Sequence, residues 1–84
     1  MPIEILVSAI AATLTTVAFV PQALHILRHK ETRAISLFMY VSFAAGVAFW
    51  LLFGFMIWNG PMIVANAITL ALALAIIAMK LKYG

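Results

Sequence analysis

The chain has 84 residues, enough for one small folding unit, and it contains no cysteine, which excludes a disulfide framework and a thiolate metal site. Hydrophobic residues make up 68% of the chain and charged residues only 8%, with a mean hydropathy of +1.24; a soluble domain carries about 25% charged residues, so we predict an integral membrane protein. The net charge of +3 results from five Lys and Arg residues and two Glu residues, and the basic residues form no cationic run, which argues against nucleic-acid binding.

Three stretches of the chain contain no Asp, Glu, Lys or Arg: residues 5–27, 34–58 and 61–79. The charged first loop separates the first two, and the neutral turn Asn59-Gly60 before Pro61 separates the last two. At about 1.5 Å of rise per helical residue, each stretch can cross a hydrocarbon core of about 30 Å. Backbone polar groups in lipid must find partners within their own segment, so we predict three transmembrane helices in a single unit that covers residues 1–84.

All five basic residues are predicted to lie on one side of the membrane. Arg28, Lys30 and Arg33 occupy the first loop, and Lys80 and Lys82 follow the third span. Three spans place that loop and the C-terminus on the same side. The positive-inside rule makes this side cytoplasmic and leaves the N-terminus outside.

Near the end of the first span, Pro21 precedes Gln22. Proline removes a backbone donor and bends a helix, and lipid tolerates the freed carbonyl only where protein or water satisfies it. Two interpretations stay open at this point. The pair forms either a static kink or a hinge that lets the cytoplasmic half of the helix swing.

In the second and third spans, Trp50 and Asn66 are predicted to lie at similar depth, roughly 8–12 Å inside the outer end by helical rise. Tryptophan usually anchors at the membrane interface, as we expect for Trp58, but Trp50 lies two turns deeper. Asn66 alone is more often a helix–helix contact than a ligand contact. The two residues together favour a binding site.

Helical spacing places aromatic and apolar residues on one face of the second helix. They are Met39, Phe43, Gly46, Trp50, Phe53 and Ile57. If this face and that of Asn66 point at a dimer axis, two indoles and two amides surround a small site. Indole faces stack on sugar C–H groups and amides bind hydroxyls, so the expected ligand is neutral and hydroxylated. Ordinary helix packing would produce the same periodicity.

The only carboxylates, Glu4 and Glu31, lie outside the three apolar stretches. Intramembrane acidic residues usually mark proton or ion coupling, so we expect transport without it. No nucleophile–base pair, metal-ligand cluster or phosphate-binding loop is visible in the sequence. We therefore expect no enzyme, no catalytic residue, no metal and no cofactor.

Several motifs in the chain resemble those of the SemiSWEETs, half-sized bacterial sugar transporters of the PQ-loop superfamily. The resemblance covers essentially the whole chain and rests on Thr16-x-x-Phe19-Val20-Pro21-Gln22, Ile35-Ser36-Leu37, Gly46-x-x-x-Trp50-x-x-x-Gly54, Pro61 and Asn66. It implies an all-α membrane fold, a three-helix bundle in the order 1-3-2 that assembles as a parallel homodimer of six helices. It also implies passive uniport of a mono- or disaccharide, glucose- or sucrose-like, by alternating access across the inner-membrane bilayer.

Carried over residue by residue, the resemblance implies that Trp50 and Asn66 hold the sugar and that Pro21 and Gln22 form the cytoplasmic hinge. We expect the gates to be formed by Phe53, Ile57, Met39 and Phe43.

The outer gate departs from the pattern of several relatives. Where they use a polar tyrosine–arginine–aspartate set, this chain has Phe53, Ile57 and Asn59. We therefore expect an outer gate that is mainly apolar.

Two alternatives to sugar transport remain at this stage. One is a PQ-loop carrier of another small solute, such as an amino acid; a proton-coupled carrier of this kind predicts an intramembrane acid, which the sequence lacks. A small membrane scaffold without transport activity predicts no dependence of any solute flux on Trp50 or Asn66.

Overall fold

The structure, a computed structural model, describes residues 3–84 and consists of three α-helices joined by short connections. Helix α1 runs over Ile3–His29, α2 over Leu37–Met56 and α3 over Gly60–Tyr83. Each helix is long and apolar enough to cross a membrane. The prediction of an all-α, three-span membrane protein is confirmed.

Helix α3 lies between the other two helices. It packs along both α1 and α2, whereas no Cα atom of α1 comes within 8 Å of one of α2. The Cα atoms extend over 45 × 21 × 14 Å, so the bundle is an elongated, thin layer. This arrangement confirms the order 1-3-2, and it leaves a gap between α1 and α2 on one side of α3.

Helix α2 is shorter than the charge-free stretch of residues 34–58 that contains it. At its start, the Ser36 hydroxyl accepts the Met39 N–H at 3.2 Å, which caps the helix and leaves residues 34–36 in the loop. At its end, Ile57 and Trp58 form a turn. The absence of charge shows which residues can lie within the membrane, whereas capping side chains and turns determine where a helix begins and ends.

Helices α1 and α2 end in the same turn geometry. Lys30 and Trp58 both have φ of 55°, in the left-handed region. The N–H after Lys30 bonds the Ile26 carbonyl at 3.2 Å, and the N–H after Trp58 bonds the Gly54 carbonyl at 2.9 Å. These are the bonds of a Schellman motif, whose left-handed position normally holds glycine. A larger residue there costs about 1–2 kcal/mol.

At the end of the bundle formed by the α2–α3 turn, which we call the Asn59 end, one amide joins two helices. Asn59 is 3% exposed and caps α3, its Oδ1 accepting the Met62 N–H at 3.2 Å. Its Nδ2 donates to the Ser8 Oγ of α1 at 3.0 Å. The same side chain therefore begins α3 and fixes α1 beside it.

At the opposite end, which we call the basic end, α3 holds the first loop. The Lys80 ammonium donates to the Thr32 carbonyl at 2.9 Å and to the Arg33 carbonyl at 3.4 Å. Thr32 is buried, although it lies in a loop. Helix α3 continues past Met79 to reach this position, because cations in the last turn interact favourably with the helix dipole.

Candidate functional site

A cleft of about 410 Å³ lies in the gap between α1 and α2, with α3 as its floor. The gap that the order 1-3-2 leaves is not filled at this level, because α1 carries only small side chains there. The cleft is lined by Ser8, Ala11, Ala12, Thr15, Trp50, Met62, Ala65, Asn66 and Thr69. All three helices therefore contribute to one site.

The structure brings Trp50 and Asn66 together as lining residues of this cleft. Trp50 is 57% exposed in the single chain, and its ring meets that of Phe53 edge-on, with centroids 5.9 Å apart. The half-buried Asn66 donates one N–H to the Met62 carbonyl at 2.8 Å within α3. This bond orients the amide. Within residues 3–84, its second N–H and its Oδ1 have no protein partner.

Two hydroxyls of the cleft, on Ser8 and Thr15, did not emerge as site residues from the sequence. The Ser8 Oγ bonds the Asn59 side chain and the Ile5 carbonyl, and the Thr15 Oγ1 donates to the Ala11 carbonyl at 3.0 Å. In the sequence they belong to a face of small residues at positions 8, 12 and 15 of α1, of which Ser8 and Thr15 are polar. This signal is weak because serine and threonine are common in transmembrane helices.

Beyond the cleft toward the basic end, an aromatic contact bridges α1 and α2. Phe19, one turn past Thr15, meets Phe43 with ring centroids 5.7 Å apart. Tyr40 adds an edge contact to Phe43 at 6.2 Å. Phe43, predicted as a gate, is thus at the point where α1 and α2 approach through their side chains. Its partner Phe19 had been noted only as part of a motif.

The other three predicted gate residues are exposed and do not line the cleft: Met39 and Phe53 on α2, and Ile57 in the turn after it. Phe53 lines a separate groove along α2 with Gly46, Phe49 and Trp50. Asn59, which occupies a position of the expected outer gate, is buried beside Ser8, whereas Phe53 and Ile57 are exposed.

Pro21 and Gln22 lie outside the cleft, inside a continuous α1. Both are exposed and line a groove with His25 and Ile26. Pro21 has no N–H to donate to the Val17 carbonyl four residues earlier, so one helical bond is missing at this level.

The cleft is lined mostly by apolar side chains and carries no charged group. Its hydrogen-bonding groups are hydroxyls and an amide, and no acid or base lines it. Glu31 lies at the basic end, 3.6 Å from the His25 Nε2, with both side chains exposed. Glu4 lies in the first turn of α1, at the other end of the bundle. Such a site favours a neutral ligand with several hydroxyl groups.

The comparisons with known proteins agree with this geometry. The model of the PQ loop repeat family matches residues 3–58. The chain is 43% identical over 79 residues to the sugar transporter SemiSWEET of Bradyrhizobium diazoefficiens, covering 94% of this chain and 92% of the relative. Identity to that of Leptospira biflexa is 42% over 81 residues, covering 96% and 95%. A solved structure of SemiSWEET in the inward-open conformation is similar with a TM-score of 0.87 and 36% identity, covering 96% of this chain and 87% of that one.

Proposed function

The chain belongs to the PQ-loop repeat family and within it to the SemiSWEETs, and we propose that it carries a mono- or disaccharide passively across the inner membrane. One observation carries the proposal: the cleft between α1 and α2 joins the indole of Trp50 to the neutral amide of Asn66. The similar proteins of two bacteria are named sugar transporters, which fits the chemistry of this cleft.

Each group of the cleft has a role toward a sugar. The Trp50 ring offers an apolar face for the sugar C–H groups. The free N–H and Oδ1 of Asn66 donate to and accept from one hydroxyl or two neighbouring ones, and Ser8 and Thr15 add hydroxyl oxygens. A passive carrier must release its cargo on both sides, so these few neutral contacts suit weak, reversible binding.

A second copy of the chain completes the proposed site. In one chain the cleft lies open at the surface, and Trp50 and Phe43 on its α2 side are both exposed. Copies inserted in one orientation pair in parallel around a two-fold axis along the membrane normal. We propose that this homodimer of six helices encloses two indoles and two amides around the substrate.

We propose that the basic end faces the cytoplasm. It carries all five Lys and Arg residues, in the first loop and in the last turn of α3. Positive charge is retained on the cytoplasmic side of bacterial inner membranes. The N-terminus and the Asn59 end then face the periplasm, and substrate enters the cleft from there when the dimer opens outward.

Alternating access is proposed to use two sets of residues at opposite ends of α2. Met39 and Phe43 close the cytoplasmic side, and Phe53 and Ile57 close the periplasmic side. Pro21 and Gln22 act as the hinge, because the helical bond missing at Val17 lowers the cost of bending α1 at this level. The exposure of Pro21 leaves room for that motion.

Transport is proposed to be uniport, because no carboxylate lines the cleft that would carry a coupling proton. The test is counterflow of labelled glucose and sucrose in liposomes that contain the purified protein, with every ion gradient collapsed by ionophores. Exchange under these conditions supports a passive sugar carrier. Exchange that appears only with a proton gradient contradicts uniport.

The same liposomes distinguish the alternatives. Exchange of amino acids without exchange of any sugar would identify a carrier of another solute. No exchange of any solute, from protein shown by cross-linking to be dimeric and by circular dichroism to be helical, would favour a scaffold and contradict the proposal.

A further inference from the structure

At the end of α3, two ammonium groups lie close to the ring of Tyr83, one from the first loop and one from the neighbouring residue. The Lys30 Nζ lies 5.1 Å from the ring centroid, and the Lys82 Nζ lies 5.4 Å from it. Tyr83 is 49% exposed, and both lysines are exposed as well. The arrangement is therefore an open cluster of two cations around one aromatic ring, which we call the Tyr83 cluster.

Among residues 3–84, no carboxylate forms an ion pair with the Tyr83 cluster. Glu31, next to Lys30 in sequence, instead approaches His25 at 3.6 Å. Two like charges held near one ring repel each other. A negatively charged ligand from outside the chain would stabilise the cluster.

The position of Lys30 is imposed by the backbone. Lys30 occupies the left-handed position of a Schellman turn, where glycine is the usual residue. The loop that follows is fixed to α3 because the Lys80 ammonium is bonded to the Thr32 and Arg33 carbonyls. Together the turn and the bonded loop bring Lys30 to Tyr83. Strained positions of this kind are concentrated at functional sites.

The depth of the cluster indicates its ligand. Tyr83 follows the last charge-free stretch by four residues, at the level where tyrosine is enriched beside lipid headgroups. Lysine stems lie along apolar surface while their ammonium groups reach the phosphates. Anionic phospholipids are attracted to basic residues next to transmembrane helices on the cytoplasmic side.

We propose that Lys30, Lys82 and Tyr83 form a binding site for the headgroup of an anionic phospholipid. The headgroup phosphate accepts hydrogen bonds from the two ammonium groups, and the phenol ring packs against the glycerol portion. The site lies outside the substrate cleft and does not depend on which solute the protein carries. It fixes the basic end of each chain to the surrounding leaflet.

Native mass spectrometry of the protein, titrated with phosphatidylglycerol or phosphatidylcholine in detergent, tests the proposal. We expect phosphatidylglycerol to be retained in preference to phosphatidylcholine. Lys30→Gln and Lys82→Gln each lower its association constant by about fivefold, and Lys30→Arg, which keeps the charge, restores it. The matched control removes two charges that make no cation–ring contact with Tyr83, in the double variant Arg28→Gln/Arg33→Gln.

Three results would overturn the proposal. Equal loss in the control and in Lys30→Gln/Lys82→Gln would show an effect of net charge alone. Equal retention of phosphatidylcholine would show that the anionic headgroup is not recognised. Complete displacement of phosphatidylglycerol by millimolar inorganic phosphate would show a site for a free anion. Circular dichroism of each variant confirms that it is folded, so a loss of lipid is not a loss of structure.

Discussion

The face of α2 that carries Trp50 and Phe43 is used in two different ways along its length. At Trp50 the facing part of α1 carries alanine, serine and threonine, and a cleft of about 410 Å³ remains. Two turns nearer the basic end, Phe19 of α1 fills the gap and meets Phe43 with ring centroids 5.7 Å apart. The residue type on α1 changes within one turn from Thr15 to Phe19, and with it this face changes from lining an open cleft to making a ring contact.

In our proposal, this difference allows one aromatic face of α2 to provide both the binding site at Trp50 and the gate at Phe43. An aromatic ring opposite small side chains is exposed to a ligand, whereas a ring opposite another ring gains a contact of about 0.5–1.5 kcal/mol. A contact of that size is strong enough to favour a closed state and weak enough to open.

The largest expected effect comes from the cleft level. Asn66→Ala removes the amide that we assign to the sugar hydroxyls, and an unpaired hydroxyl in a closed site costs about 1–3 kcal/mol. We expect counterflow to fall about tenfold or more. Thr13→Ala is the matched control, since Thr13 makes the same kind of bond to its own helix, to the Ala9 carbonyl at 2.7 Å, but lies outside the cleft. Equal loss in both variants would contradict the assignment.

The contact between Phe19 and Phe43 is tested by how readily a thiol reagent reaches a cysteine placed in the cleft. The chain has no cysteine, so Ala12→Cys places a single thiol in the cleft. Adding Phe19→Ala removes the ring contact with Phe43, and we expect labelling by a membrane-impermeant reagent from the basic end to rise about threefold to tenfold. Phe38→Ala, at an exposed ring near the start of α2, should leave labelling unchanged. Unchanged labelling in the Phe19 variant would show that this contact does not close the cleft.

The basic end is expected to depend on one lysine for stability. Lys80→Met removes the charged donor from the carbonyls of Thr32 and Arg33, and we expect the free energy of unfolding to fall by about 1–2 kcal/mol. Denaturant titration in lipid-free detergent measures this change. Lys82→Met is the control, because the Lys82 ammonium bonds no backbone carbonyl among residues 3–84. Equal stability of the two variants would argue against a role for the Lys80 bonds.

The smallest effect distinguishes two glycines of α2. A Cβ at Gly54 would lie 3.3 Å from side-chain atoms of Ile63 and Met62, whereas a Cβ at Gly46 would meet nothing within 4 Å in the single chain. Alanine gains up to about 1 kcal/mol of helix propensity at either position. We expect Gly46→Ala to be the more stable variant by about 1 kcal/mol, measured on monomeric protein. The reverse order would contradict the close packing of α2 on α3 at Gly54.

The fold was predictable because lipid imposes strict rules on length and charge. The charge-free stretches located all three helices, and the resemblance supplied the order 1-3-2. The matching depth of Trp50 and Asn66 predicts that they lie close together, and both line the cleft. The contacts of Asn59 with Ser8 and of Lys80 with Thr32 were not predicted, because each joins residues far apart in sequence.

Those contacts depend on how each helix is rotated about its axis. In a soluble helix the apolar face reveals that rotation. In this chain the outward faces are apolar as well, since they meet lipid, and exposed residues such as Leu14 and Phe49 look like core residues in the sequence. Because inward-facing and lipid-facing residues are both apolar, the sequence did not identify Phe19 as the partner of Phe43.

The central claim is that the Trp50 indole binds the sugar. The two tryptophans of the chain, Trp50 in α2 and Trp58 in the turn after it, test this claim directly. Counterflow of labelled sugar is compared in Trp50→Ala and Trp58→Ala, both confirmed as dimers. Trp50 lines the cleft, whereas Trp58 is 77% exposed in the α2–α3 turn. The account predicts that Trp50→Ala abolishes exchange and that Trp58→Ala retains it. Retained exchange in Trp50→Ala would contradict the account.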